Sequence, residues 1–244
     1  MPRESFDEQL RTLQEQILKM GGLVEEAMRR SIRSLVYQDL EEAERIIESD
    51  DLIDQVEREI EEQSLRLIAL QQPLARDLRT VATVLKAIID LERMGDHAVN
   101  IALITRRIGR EPLIKPLIDI PRMADLVANM VKSSLDALVR QDVQLAERVC
   151  RSDDAVDEVY ASLFDELMGF VLQGGDRQRA TQAINLLFVA RYLERIADHA
   201  TNIGEGVIFL VTGQRVHFNK EPTRDRQAHL QADHSVHLDQ EFQE

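Results

Sequence analysis

Leu91-Glu92-Arg93-Met94-Gly95-Asp96-His97-Ala98-Val99-Asn100-Ile101 returns 102 residues later as Leu193-Glu194-Arg195-Ile196-Ala197-Asp198-His199-Ala200-Thr201-Asn202-Ile203. A second register agrees: Gln38-Asp39 corresponds to Gln141-Asp142 and Ser49-Asp50-Asp51 to Ser152-Asp153-Asp154, each pair 103 residues apart. Self-similarity at a fixed long spacing is the mark of a duplicated supersecondary unit. The chain therefore reads as one unit written twice.

Each unit is helical by pattern. Apolar residues recur at three- and four-residue spacing, while Gly and Pro fall between the periodic stretches. The first helix is expected from about Phe6 to Tyr37. The second runs from an N-cap at Asp39, with Glu42 completing a cap-like pair, to Gln71, where Pro73 stops it. The third runs from about Leu74 to Ile108 and ends on Gly109, which takes a left-handed C-terminal position without steric cost. After a turn segment from Glu111-Pro112 to Ile120-Pro121 the pattern restarts. Three helices on short turns alternate in direction, so the expected fold is all-α: two tandem antiparallel three-helix bundles, six long helices, related by a pseudo-twofold internal repeat. The expected boundaries are 1–110, 111–213 and a polar tail over 214–244. That tail carries four of the six histidines and reads as a mobile extension.

Composition narrows the function. There are 44 acidic and 30 basic residues, a net charge of −14, which opposes binding to nucleic-acid phosphates or anionic lipid. One cysteine, Cys150, allows neither an intrachain disulfide nor a thiolate metal cluster. The N-terminus lacks the apolar stretch of a signal peptide and no run is long enough to span a membrane, so a cytoplasmic protein is expected, reaching membranes only through partners.

The excess acid is concentrated. Residues 39–71 hold twelve acids and three bases, and 142–172 hold eight and two. Asp50/Asp54 and Asp153/Asp157 stand four apart, on one helical face; so do Glu92/Asp96 and Glu194/Asp198 on the third helix of each unit, where they interrupt an apolar stripe with Leu85, Ile88, Ile89 and Val99. Like charges at that spacing cost roughly 0.2–0.5 kcal/mol per pair on an exposed helix and more where water is excluded. Either Arg93 and Arg195 compensate them, or a bridging metal does. The ligands would be the eight carboxylates with the amides of Asn100 and Asn202, a hard oxygen set suited to magnesium, manganese, iron or calcium. His97 and His199 follow the face-lying aspartates by one residue and so turn about 100° away, which suits packing or hydrogen bonding better than ligation.

The doubled Leu-Glu-Arg-x-x-Asp-His, with Gln72-Pro73-Leu74-Ala75-Arg76-Asp77-Leu78-Arg79 before the first copy, Asn202-Ile203-Gly204-Glu205 closing the second, and Lys19-Met20-Gly21-Gly22 in the first helix, closely resembles the PhoU family over about residues 6 to 213. The resemblance implies two three-helix bundles, a homodimer, and carboxylate faces that hold metal, iron in some members. It further implies a negative regulator of phosphate uptake and of the phosphate-starvation response, linking the ATPase-driven phosphate ABC transporter to a sensor histidine kinase. The Pro-x-x-x-Asp-Leu-Arg segment has no counterpart in the second unit, which reads Gln173-Gly174-Gly175-Asp176-Arg177-Gln178-Arg179, so the two sites need not be equivalent.

Two rival classes stand beside the adaptor. A carboxylate-bridged metal-dependent bundle enzyme would use Glu-x-x-His, yet no histidine here has an acid three residues before it. No Walker-type glycine loop or G-x-S-x-G turn is present either, so a non-enzyme is expected. The other rival is a structural scaffold whose acid pairs only solubilise long helices.

Overall fold

The structure is a computed structural model, and it describes residues 2–49, 51–173 and 176–218. The expected tail beyond Phe218 and the candidate ligand Asp50 lie outside the described residues. Among those described, every regular element is helical: α1 (Pro2–Tyr37), α2 (Leu40–Glu48), α3 (Asp51–Gln71), α4 (Ala75–Ile108), α5 (Asp119–Arg140), α6 (Val143–Leu172) and α7 (Arg177–Thr212). No described helix is long and apolar enough to cross a membrane.

Local chemistry sets the boundaries. The Asp39 carboxylate accepts from the Glu42 N–H at 3.0 Å, and in the second repeat Asp142 accepts from the Leu145 N–H at 3.0 Å. Both satisfy N–H groups that have no partner within the first helical turn. Gly213 closes α7 at φ +74°, ψ +1°, in the left-handed position, whereas Gly109, expected to do the same, ends α4 at φ +67°, ψ −138°, outside the left-handed helical region though still a conformation that favours glycine.

One expectation changes. The second helix divides into α2 and α3, where the sequence reads as continuous. The Ser49 N–H is shared between the Arg45 and Ile46 carbonyls at 3.2 Å each, and its hydroxyl donates to the Ile46 carbonyl at 3.0 Å. These bonds tighten the last turn of α2 and end it. The matching stretch around Ser152 continues through α6 without a break.

The first repeat is α1, α2–α3 and α4; the second is α5, α6 and α7. They share one core. Leu13, Ile17, Met20 and Met28 of α1, Ile88 and Leu91 of α4, Val127 and Val131 of α5, and Leu193 and Ile196 of α7 belong to a single contiguous buried cluster. Within the acid-interrupted stripe Ile88 is buried, whereas Ile89 is half exposed. Helix α4 runs antiparallel to α7, because Arg79 Nε near its start donates to the Leu210 carbonyl at 3.2 Å while Arg107 near its end donates to Asn185 Oδ1 at 3.3 Å. Close approach of α1 to α5 needs Gly21, where a Cβ would stand 2.0 Å from Leu135 Cδ1. Two glutamines hold the linker between the repeats: Gln38 donates to the Gly109 and Glu111 carbonyls (3.0 and 2.6 Å), and Gln182 accepts from the Ile114 N–H (2.6 Å) and donates to the Pro112 carbonyl (3.1 Å).

Candidate functional site

In the first repeat, α3 and α4 bring their acids together. Burial, then Asp96, pushes Glu92 above the usual carboxylate range; Glu57 and Asp54 across on α3 push the same way, against Arg93. Asp96 is raised by burial and by Asp54, and Glu57 by burial with Glu61 and Asp54. The face is thus Asp54, Glu57, Glu92 and Asp96. Arg93 lies 3.4 Å from Glu92 and 3.5 Å from Asp96, and Arg58 3.8 Å from Asp54. Glu57 was not among the expected ligands, although it stands three residues past Asp54 on the same helical face.

The second repeat is drier. Asp153 is 1% exposed, the Glu194 side chain 12%. Burial, Asp198 and Asp157 together push Glu194 up to about 7, against Arg191 and Arg195. Asp157 is raised by burial, Asp198 and Asp154. Arg191 forms the ion pair with Glu194, taking the place anticipated for Arg195, and its guanidinium also lies 5.9 Å from the centre of the Tyr160 ring. Tyr160 stands where the first repeat has Glu57, so the two faces differ by one acid. Glu194 Oε2 is buried without a hydrogen-bond partner among the described residues.

The amides and histidines divide differently from the carboxylates. Asn202 donates to Asp90 Oδ1 at 3.2 Å, and the same oxygen meets His199 Nδ1 at 2.9 Å. Asn202 is therefore engaged across the α4–α7 interface; Asn100 sits half-buried on α4. His97 stacks on Tyr192 at 5.5 Å between ring centres, and burial with the neighbouring His199 lowers it to about 4, so it is neutral. His97 packs and His199 hydrogen-bonds across the α4–α7 interface, the two roles that their placement one residue past the face suits. Asp90 and Tyr192 escaped the sequence reading because the repeat aligns them as unlike residues.

Known proteins match this arrangement. The family described as PhoU domain matches twice, over residues 17–105 and 120–207. The chain belongs to the PhoU family. A protein of Clostridium acetobutylicum named phosphate-specific transport system accessory protein PhoU homolog is 41% identical over 220 residues, covering 90% of this chain and all of that one. An Aquifex aeolicus protein of the same name is 44% identical, with 85% and 93% covered. Crystal structures of PhoU from Pseudomonas aeruginosa and of the phosphate transport system regulatory protein PhoU from Streptococcus pneumoniae each superpose with a TM-score of 0.80, at 35% and 32% identity. They cover 86% and 87% of this chain and 100% and 99% of their own.

Metal at these faces is the expectation that the PhoU resemblance raised. No three His, Cys, Asp or Glu side chains among the described residues converge tightly enough to ligate one ion. Donor chemistry and charge nevertheless fit. Each face is a set of carboxylate oxygens that raise one another's proton affinity, and the second holds a buried, unpartnered oxygen. A hard cation, like a proton, would relieve the mutual repulsion of such a set, and the acids would have to close in around it.

Proposed function

We propose that this chain is an accessory protein of a phosphate-specific transport system that acts negatively on phosphate uptake and on the phosphate-starvation response. In this reading it is a cytoplasmic, homodimeric, non-enzymatic adaptor between the phosphate transporter's ATPase subunit and a sensor histidine kinase. The observation that carries the reading is the family match in both repeats, with relatives named for phosphate-specific transport aligned along nearly their whole length. Those names describe accessory and regulatory proteins, which supports an adaptor over a bundle enzyme.

The cation belongs to the proposal too. Asp54, Glu92 and Asp96 with the added Glu57 would hold it in the first repeat, and Asp153, Asp157, Glu194 and Asp198 in the second; of the other expected ligands, Asp50 lies outside the described residues, Asn100 stands four residues past Asp96, and Asn202 is bonded to Asp90. Iron, manganese or magnesium would neutralise the mutual repulsion of each face and present a fixed, less negative surface to a partner.

The test is a phosphate-starvation reporter in phosphate-replete cells carrying the intact gene, its deletion, or the Asp96→Ala/Asp198→Ala variant. Derepression on deletion supports the regulator, and the variant shows whether the carboxylates matter to it. A reporter that stays silent on deletion sinks the reading.

A further inference from the structure

The two carboxylate faces stand on equivalent helices but are not built from equivalent side chains. Glu92 and Asp96 of α4 correspond to Glu194 and Asp198 of α7, and Asp54 of α3 to Asp157 of α6. Around that shared set four positions are exchanged. Glu57 becomes Tyr160, Arg58 becomes Ala161, Glu61 becomes Phe164 and Ile89 becomes Arg191. Together the four carry a charge of −1 in the first repeat and +1 in the second.

The exchanged residues act together. The Arg191 guanidinium pairs with Glu194 and lies 5.9 Å from the centre of the Tyr160 ring, which packs on Phe164 at 6.3 Å. Arg191 is thus held from two sides, by a largely buried carboxylate and by an aromatic face that itself attracts cations. Arg195, the counterpart of Arg93, adds to this rather than replacing it, since both arginines act on Glu194. In the first repeat Ile89 takes the place of Arg191 and is half exposed, so no cation enters from that position. The arginines that do reach the first face are looser. Arg93 stands 3.4 Å from Glu92 and 3.5 Å from Asp96, with 58% of its side chain exposed, and Arg58 stands 3.8 Å from Asp54. Those distances exceed the roughly 2.8 Å of a good charge-assisted bond, and exposed pairs of this kind contribute little.

We propose that Arg191, seated on Tyr160, is the built-in counter-ion of the second face, so that hard cations fill the first face before the second. A cation entering the second face has to displace the guanidinium from Glu194, whereas at the first it meets the additional carboxylate of Glu57. For a divalent ion, a difference of two charges at close range amounts to a roughly tenfold or greater preference. This inference rests on the reading of both faces as cation sites and adds that they are unequal. At limiting cation the first repeat alone changes its surface.

The experiment titrates the intact 244-residue protein with manganese alone at pH 8 and follows the free ion by electron paramagnetic resonance. The native chain is expected to show two classes of site that differ roughly tenfold or more in affinity. Asp96→Ala should weaken the tighter class and Asp198→Ala only the other. Arg191→Ile/Tyr160→Glu, which copies the first face onto the second, should bring the two classes together, and a gain of affinity cannot arise from damage to the fold. The reciprocal Glu57→Tyr/Ile89→Arg should weaken the tighter class. Equal classes in the native protein, or an Arg191→Ile/Tyr160→Glu protein that titrates like the native one, overturn the inequality and leave the cation reading standing. A native chain that binds no manganese overturns the cation reading itself, and the inequality with it.

Discussion

Asp90 and Tyr192 occupy equivalent positions in the two repeats, and each meets the histidine of the other. Asp90 Oδ1 lies 2.9 Å from His199 Nδ1, and the Tyr192 ring stacks on His97 at 5.5 Å. His97 and His199 are themselves equivalent and face each other at 5.8 Å, so the pseudo-twofold axis passes between them. Geometry is preserved while chemistry diverges: one histidine has a carboxylate, the other an aromatic face.

That divergence makes Asp90 a polar link between the bundles, since it meets both His199 and Asn202. Asp90→Ala is expected to lower stability by about 1–3 kcal/mol, because two donors lose a charged acceptor. Asp90→Asn keeps an acceptor oxygen and should cost less. Urea unfolding monitored by circular dichroism checks both, and equal midpoints for Asp90→Ala and the native protein would show that the link contributes nothing.

Removing one acid from a face should separate ligation from folding. Asp96→Ala is expected to weaken manganese binding, measured by equilibrium dialysis, with little loss of helix, because it deletes an oxygen and also relieves repulsion on Glu92. Ile88→Ala is the contrast: that side chain is buried in the shared core, and its truncation should cost roughly 2–5 kcal/mol without altering metal uptake. An Asp96→Ala protein that melts far lower yet binds as much manganese would make the carboxylate structural.

Gly204 reports on helix approach. A Cβ there would stand 3.2 Å from the Ala146 carbonyl oxygen, which is backbone and cannot rotate away, and 2.9 Å from Cys150 Sγ. Gly204→Ala should therefore destabilise by about 1–3 kcal/mol through overpacking between α6 and α7. At Gly21 the obstacle is the end of the Leu135 side chain, which has other rotamers, so Gly21→Ala should cost less despite the shorter 2.0 Å contact. Thermal melts of the two variants rank them.

Most of the fold was legible because it is written twice. The repeated Leu-Glu-Arg-x-x-Asp-His set the register of α4 and α7, Asp39 and its repeat partner Asp142 cap their helices, and Gly109 ends α4 where expected, though not in the left-handed helical conformation. The division at Ser49 was not legible, since it depends on bonds from one serine that its repeat partner Ser152 does not use to end a helix. For the carboxylates, spacing along one helix identified Glu92/Asp96 and Glu194/Asp198. Spacing cannot show the opposing helix, with Glu57 facing Glu92 and Asp90 drawing Asn202 to the other side, whereas Arg191 on Glu194 is an i,i+3 pair within α7 that the spacing did offer beside Arg195.

Glu194 ties the second face to pH. Its folded value of about 7 lies above the ordinary 4.5, chiefly through burial and then Asp198. Between those values the folded protein holds a proton that the unfolded chain has released, so this residue's contribution is fully present below pH 4.5 and lost as pH rises through 7. His97 runs the other way. Its folded value of about 4 lies below 6.5, so the unfolded chain binds the proton first, and stability from His97 is lost as pH falls from 6.5 toward 4. Glu194→Gln removes only the first effect. In chelator it should therefore stabilise the protein at pH 8, by about 1–2 kcal/mol once partial solvent access is allowed for, and leave stability near pH 4.5 unchanged. Urea midpoints at the two pH values decide it, and an equal shift at both would mean that the substitution acts through packing. A cation on this face reverses the sign at high pH: native protein should then gain stability from added manganese above pH 7, release a proton on binding it, and lose most of that gain in Glu194→Gln.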